Sequence, residues 1–199
     1  MTFYKYIFQL LLVCLVFSCG NETKTNSPEP TNSVVEKVSK GTSAVEKLRA
    51  MNKEKEALKG KASIAVPTLE DWLPETVLGM QKTKGGALTQ DGIIGINARY
   101  MDMNNQYGKD YANYVNILII DGHGEKGSAA ALEFISTKYD GNTTYGNTTV
   151  KEEFNESDNT TTLKFFYKNR FGVKIKAKGF KKNEVWDVFK DFNLDKITK

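Results

Sequence analysis

The sequence predicts an α+β domain built on a mostly antiparallel sheet of about six strands, in the order βββαβββα, packed with helices. Three observations predict it. Apolar and polar residues alternate in residues 94–101, 160–168 and 173–178, the pattern of half-buried strands. An alanine-rich stretch at 128–138 separates two strand-rich halves. The links between neighbouring strand segments are mostly too short for the crossover that a parallel pair requires.

The elements follow in order. Pro67-Thr68-Leu69 reads as one helical turn, capped by Thr68 and stopped by Pro74. Residues 77–82 form a weak first strand, and Lys84-Gly85-Gly86 a loop. In the second strand Ile94, Ile96, Ala98 and Tyr100 share a face opposite Gly95, Asn97, Arg99 and Met101. Residues 114–121, YVNILIID, are the most apolar strand and are expected at the centre of the sheet. The helix at 128–138 carries three alanines that favour helix and close packing on a sheet. Strands at 148–155 and 160–168 come next, Leu163, Phe165 and Tyr167 sharing one face of the second. In 173–178, Val173, Ile175 and Ala177 face one way and Lys174, Lys176 and Lys178 the other, one dry face and one wet. A closing helix at 184–192 presents Val185, Trp186, Val188, Phe189 and Phe192 as its apolar side. In order of elements alone this resembles the α/β sandwich of the PsbP and Mog1 proteins, and no functional residue carries over on that basis.

The N-terminus bears on location. Lys5 and the apolar run 7–17 have the charge and length of a signal peptide, and the run is short of the ~20 residues a membrane span needs. Leu15-Val16-Phe17-Ser18-Cys19 resembles the lipobox of bacterial lipoprotein precursors, of the looser form met in Bacteroidota, with Phe17 where many lipoboxes carry a small residue. The resemblance implies removal of residues 1–18 and a diacylglycerol thioether on Cys19, with an N-acyl chain such as palmitate. Several chains anchor where one binds only marginally. The expected location is the cell envelope, with a lean to the periplasmic face of the outer membrane. The alternatives are a plain cleaved signal peptide, with secretion, or an uncleaved anchor. The five Asn-x-Ser/Thr triplets, at Asn21, Asn142, Asn147, Asn155 and Asn159, would be glycan acceptors only in a eukaryote.

Residues 19–33, with Pro28 and Pro30, read as a flexible spacer. Residues 34–61 read as a helical stalk broken at Gly41-Thr42, with eight Lys/Arg against four Glu. Residues 62–199 then form a single domain. The cysteines are Cys14 and Cys19 only, so a chain cleaved before Cys19 keeps no thiol for a disulfide or a metal once Cys19 is acylated. The formal charge of +4 is too mild to point to nucleic acid.

No cofactor motif and no metal-ligand pattern emerges. Asp121-Gly122-His123-Gly124-Glu125-Lys126-Gly127-Ser128 spaces two glycines as in a phosphate-binding loop, yet Lys126 precedes the glycine it should follow, so a plain turn with Ser128 as N-cap is the expectation. His123 is the only histidine and lacks a second nitrogen or sulfur ligand. Leu73-Pro74-Glu75-Thr76 begins like a sorting signal but has Val77 where glycine is required. Tyr100, Tyr107, Tyr111 and Tyr114, with His123, are the candidate binding surface, because tyrosines give contact area at low entropy cost. Three functional readings follow. The first is a non-enzymatic envelope lipoprotein that binds a protein or another envelope component. The second is an apolar-ligand module with a cavity among Leu163, Phe165, Ile117 and Ile119. The third is a hydrolase or metal enzyme in which Asp121, His123, Glu125 and Asp102 converge.

Overall fold

Residue pairs with positive φ shape the first half of the sheet. Leu78-Gly79 (φ 52° and 75°) and Asp91-Gly92 (φ 52° and 81°) each make a two-residue turn whose hand matches the twist of the strands it joins. The first links β1 (Thr76–Val77) to β2 (Met80–Gln90), and the second links β2 to β3 (Ile93–Met101). The computed structural model describes residues 33–102 and 113–197, with side chains from residue 44 onward. The expected signal peptide 1–18, Cys19, nearly all of the expected spacer, Tyr107 and Tyr111 lie outside the described residues.

After β4 (Tyr114–Asp121) the chain crosses the sheet in three short helices, α3 (Gly124–Ala130), α4 (Leu132–Ile135) and α5 (Thr137–Asp140). It reaches the far edge at β5 (Thr143–Tyr145) and returns through β6 (Thr148–Asn155), β7 (Thr160–Tyr167) and β8 (Phe171–Lys178). β8 then pairs with β4, closing one eight-stranded sheet in the order β1-β2-β3-β4-β8-β7-β6-β5. Every neighbouring pair is antiparallel.

The α+β class and the antiparallel sheet stand as the sequence predicts, with eight strands in place of about six. The two additions, β1 and β5, are too short to show a period. β2 is longer than expected: Lys84-Gly85-Gly86 belongs to the strand, with a bulge between Lys82 and Lys84. A side chain at Gly85 would stand 3.2 Å from the Asn97 carbonyl, so the glycine marks close backbone approach, not a loop.

One face of the sheet is fully dressed. Ile96, Ala98, Tyr100, Val115, Ile117, Ile119, Leu163, Phe165, Val173 and Ile175 form a single buried core beneath α2 (Val66–Glu70) and the C-terminal segment. That segment is two 3-10 turns, Glu184–Asp187 and Leu194–Lys196, around α6 (Val188–Asp191), in place of one helix over 184–192. Of the expected apolar side, Val185, Val188, Phe189 and Phe192 are buried in the core and Trp186 packs partly buried against it, with Leu194 buried beside them.

Among the described residues the opposite face is covered at one end only. There α3 packs on β3 and β4, α4 on β7 and β8, and α5 on β6 and β7. Gly172 makes this possible: a Cβ there would meet the Phe134 ring at 2.3 Å. Leu58, Ala131, Phe134, Ile135 and Phe166 form the small core of this layer, with Met51 and Ile120 against it.

Leu58 is the end of α1 (Ser33–Lys59), which runs through Gly41-Thr42 without the expected break. The last turns of the expected stalk pack on the small core of the helical layer through Met51 and Leu58. Two expected caps also move. α2 starts after Ala65 with Thr68 inside it, and α3 starts after His123 with Ser128 buried inside it. No described helix is long and apolar enough to cross a membrane.

Candidate functional site

Asp121 ends the central strand, and its carboxylate is fully buried. Arg170, in the β7–β8 turn, meets it with a fork: Nε donates to Oδ1 at 2.7 Å and Nη2 to Oδ2 at 2.8 Å. The Ile64 amide donates to Oδ2 at 3.0 Å, and Arg170 also donates to the Ala62 carbonyl. The cluster ties the chain between α1 and α2 to the end of the sheet. His123 Nδ1 lies 3.3 Å from Asp121 Oδ2 without a hydrogen bond. Ser128 Oγ donates to the Glu125 carbonyl at 2.9 Å, one turn back in its own helix. Asp121 therefore acts as an anchor for backbone and guanidinium, with both oxygens engaged.

The other carboxylates named for hydrolytic chemistry stand apart. Glu125 is exposed and pairs with Lys59 at 3.0 Å. That contact holds the Glu125 carboxyl below its ordinary range, while Glu56 and then Glu125 push the Lys59 ammonium up. Asp102 follows β3 at the opposite end of the sheet from Asp121. Among the described residues no group of three histidine, cysteine, aspartate or glutamate side chains could hold a metal ion.

Of the tyrosines expected to form a binding surface, Tyr107 and Tyr111 lie outside the described residues, and Tyr100 and Tyr114 stand on opposite faces of the sheet. Tyr100 is fully buried on the core face, where its hydroxyl donates to the Pro74 carbonyl at 2.9 Å, and burial pushes its pKa upward. Its alternation with Arg99 and Met101 points it inward, a consequence of the period-two pattern. Tyr114 lies on the other face with the Arg99 guanidinium 4.7 Å over its ring. His123 sits beyond the far end of β4, some 24 Å of strand from Tyr114. Leu163, Phe165, Ile117 and Ile119, proposed to line an apolar cavity, are all fully buried within the main core.

What the register does assemble is a basic field on the uncovered part of the sheet. Residues paired across strands share a face, so three rows can be read over β2-β3-β4-β8-β7-β6. The row beside the helices is Gly86, Asn97, Leu118, Lys174, Lys164 and Lys151. The next is Lys84, Arg99, Asn116, Lys176, Thr162 and Glu153. In the third, Lys178 stands between Tyr114 and Thr160. Glu153 is the single carboxylate of these rows, and it pairs with Lys151 at 3.3 Å and Lys164 at 3.7 Å. Among the described residues no carboxylate pairs with Lys174, Lys176 or Lys178.

Over β2–β4 this face dips into a groove of about 420 Å³, bordered by Lys84 and Arg99 and floored by Asn97, Asn116 and Leu118. Only the Lys174/Lys176/Lys178 alternation could be seen in the sequence. Lys84, Arg99, Lys151 and Lys164 join it through strand pairing, β4 to β8 linking residues as far apart as Tyr114 and Lys178, which no local pattern reveals.

No protein-family model matches the chain, no curated protein matches it, and no solved structure matches it.

Proposed function

We propose that this protein is a lipid-anchored module of the bacterial cell envelope that works by binding, with the uncovered basic half of its sheet as the working surface. The observation that carries this reading is the contrast between the two faces. One is covered by α2 and the C-terminal segment, and the other, among the described residues, is covered at one end only, with lysines gathered on the rest. Support for the anchor comes from Lys5, the apolar run 7–17 and Leu15-Val16-Phe17-Ser18-Cys19. Support for binding over catalysis comes from Asp121, whose oxygens are committed to Arg170 and Ile64. In this reading the lipid and the spacer hold the domain near a membrane, and the open face engages a component of the envelope.

The anchor is tested by the intact mass of the protein purified from membranes of its host, beside a Cys19→Ala version. A mass of residues 19–199 plus acyl chains, absent from the variant, is expected. An unmodified chain in the soluble fraction would contradict the anchor.

A further inference from the structure

We infer that the half of the sheet face that no described helix covers is a docking site for an anionic polysaccharide, an extended sugar chain carrying negative groups. The inference rests on the binding function proposed above and names the partner's chemistry. Three features carry it.

The first is charge. Lys151, Lys164 and Lys174 stand side by side on three adjacent strands, at the ~4.8 Å strand spacing. Like charges directly opposite one another repel. Glu153 answers only part of that row, and Lys176 continues it on the next. A bound anion relieves the repulsion.

The second is shape. α3–α5 stand on the same face at one end, and a helix with its side chains is about 10 Å thick. The lysines thus lie at the foot of a step. A narrow chain can run along that foot and into the groove over β2–β4, whereas a flat bilayer is held off by the helices.

The third is composition. The cores of protein interfaces are rich in aromatic side chains and poor in lysine. This field is the reverse, and its aromatic ring, Tyr114, is already covered by Arg99. Between the cations lie Asn97, Asn116 and Thr162, whose amides and hydroxyl suit the hydroxyls of sugars.

The test uses the whole chain carrying Cys19→Ala, so that no acyl group contributes, with an oligogalacturonate of ten sugars as probe. Binding measured by calorimetry should weaken steeply as salt rises. The triple variant Lys164→Gln, Lys174→Gln, Lys176→Gln should lose at least roughly tenfold in affinity, about 1.4 kcal/mol. Lys181→Gln with Lys190→Gln, exposed on the segment that covers the other face, should change nothing. A neutral dextran of equal length should not bind. The proposal is overturned if both sets of variants lose affinity equally, if polyglutamate binds as tightly as the oligogalacturonate, or if phosphatidylglycerol vesicles bind more tightly. The variants' urea midpoints separate loss of binding from loss of fold. Binding that persists while Cys19 proves unmodified removes the anchor and keeps this site; an acylated Cys19 with no binding does the reverse.

Discussion

Lys164 on β7 and Lys174 on β8 stand directly opposite one another, two ammonium-bearing side chains on one face of one sheet. Lys151 on β6 extends the pair to a row of three. Such a row costs stability in the free protein, since directly opposed like charges are unfavourable by a fraction of a kcal/mol per pair. A protein selected for stability alone has many ways to interrupt it, and Glu153 answers Lys151 and Lys164 but not Lys174.

It follows that Lys174→Thr, which removes the cation lacking a described carboxylate partner, raises stability by about 0.2–1 kcal/mol in low salt. Threonine also suits a strand. The gain should shrink as salt screens the row. Urea midpoints at two ionic strengths check this, and a midpoint below that of the parent protein contradicts it.

The helical layer rests on Gly172. A Cβ at that position would stand 2.3 Å from the Phe134 ring, so the ring must move. Gly172→Ala should lower stability by about 1–3 kcal/mol, the usual cost of overpacking. Adding Phe134→Leu, which frees space there, should return part of the loss. A neutral Gly172→Ala would show that α4 does not press on β8.

The Asp121–Arg170 pair joins a fully buried carboxylate to a guanidinium through two hydrogen bonds. Arg170→Met strands a fully buried carboxylate and should cost about 3–5 kcal/mol. Arg170→Met with Asp121→Leu should cost less than that single change, because no uncompensated charge remains. Equal losses in single and double variants would contradict the coupling.

Alkaline pH reports on Tyr100. Burial first, and then the Glu75 charge, raises its pKa, so the fold favours the neutral phenol. Its stabilising effect is complete below the ordinary tyrosine value of about 10 and is lost as pH climbs beyond it. Stability should fall above about pH 10 in the parent protein and less steeply in Tyr100→Phe. Tyr139 and Tyr167, raised in the same sense by burial, leave a residual slope. At neutral pH, Tyr100→Phe should cost about 1 kcal/mol for the lost bond to the Pro74 carbonyl. An unchanged alkaline limb would contradict this assignment.

The parts legible in the sequence were those with a short period. β3, β4, β7 and β8 alternate cleanly because each has one sealed face, and the antiparallel class followed from them. Asp91-Gly92 between alternating runs was a readable hairpin signal that fixes β2 to β3. The Lys84-Gly85-Gly86 stretch masked it, since glycine serves both loops and close strand approach. The Tyr100 side chain was misplaced for a plain reason: its alternation was visible, but tyrosine suits core and surface alike. The basic field escaped notice because it is a property of register between distant strands, and Lys151 and Lys84 lie in different halves of the chain.

The most direct test of the account is to map where the oligogalacturonate touches the protein. The chain carrying Cys19→Ala is labelled with nitrogen-15 and its amide signals are followed as the probe is added. The account predicts shifts concentrated on β3, β4, β8 and β7, with the largest at residues flanking Lys164, Lys174 and Lys176. Shifts confined instead to the C-terminal segment Glu184–Lys196 on the other face, or spread evenly over every exposed lysine, would contradict it.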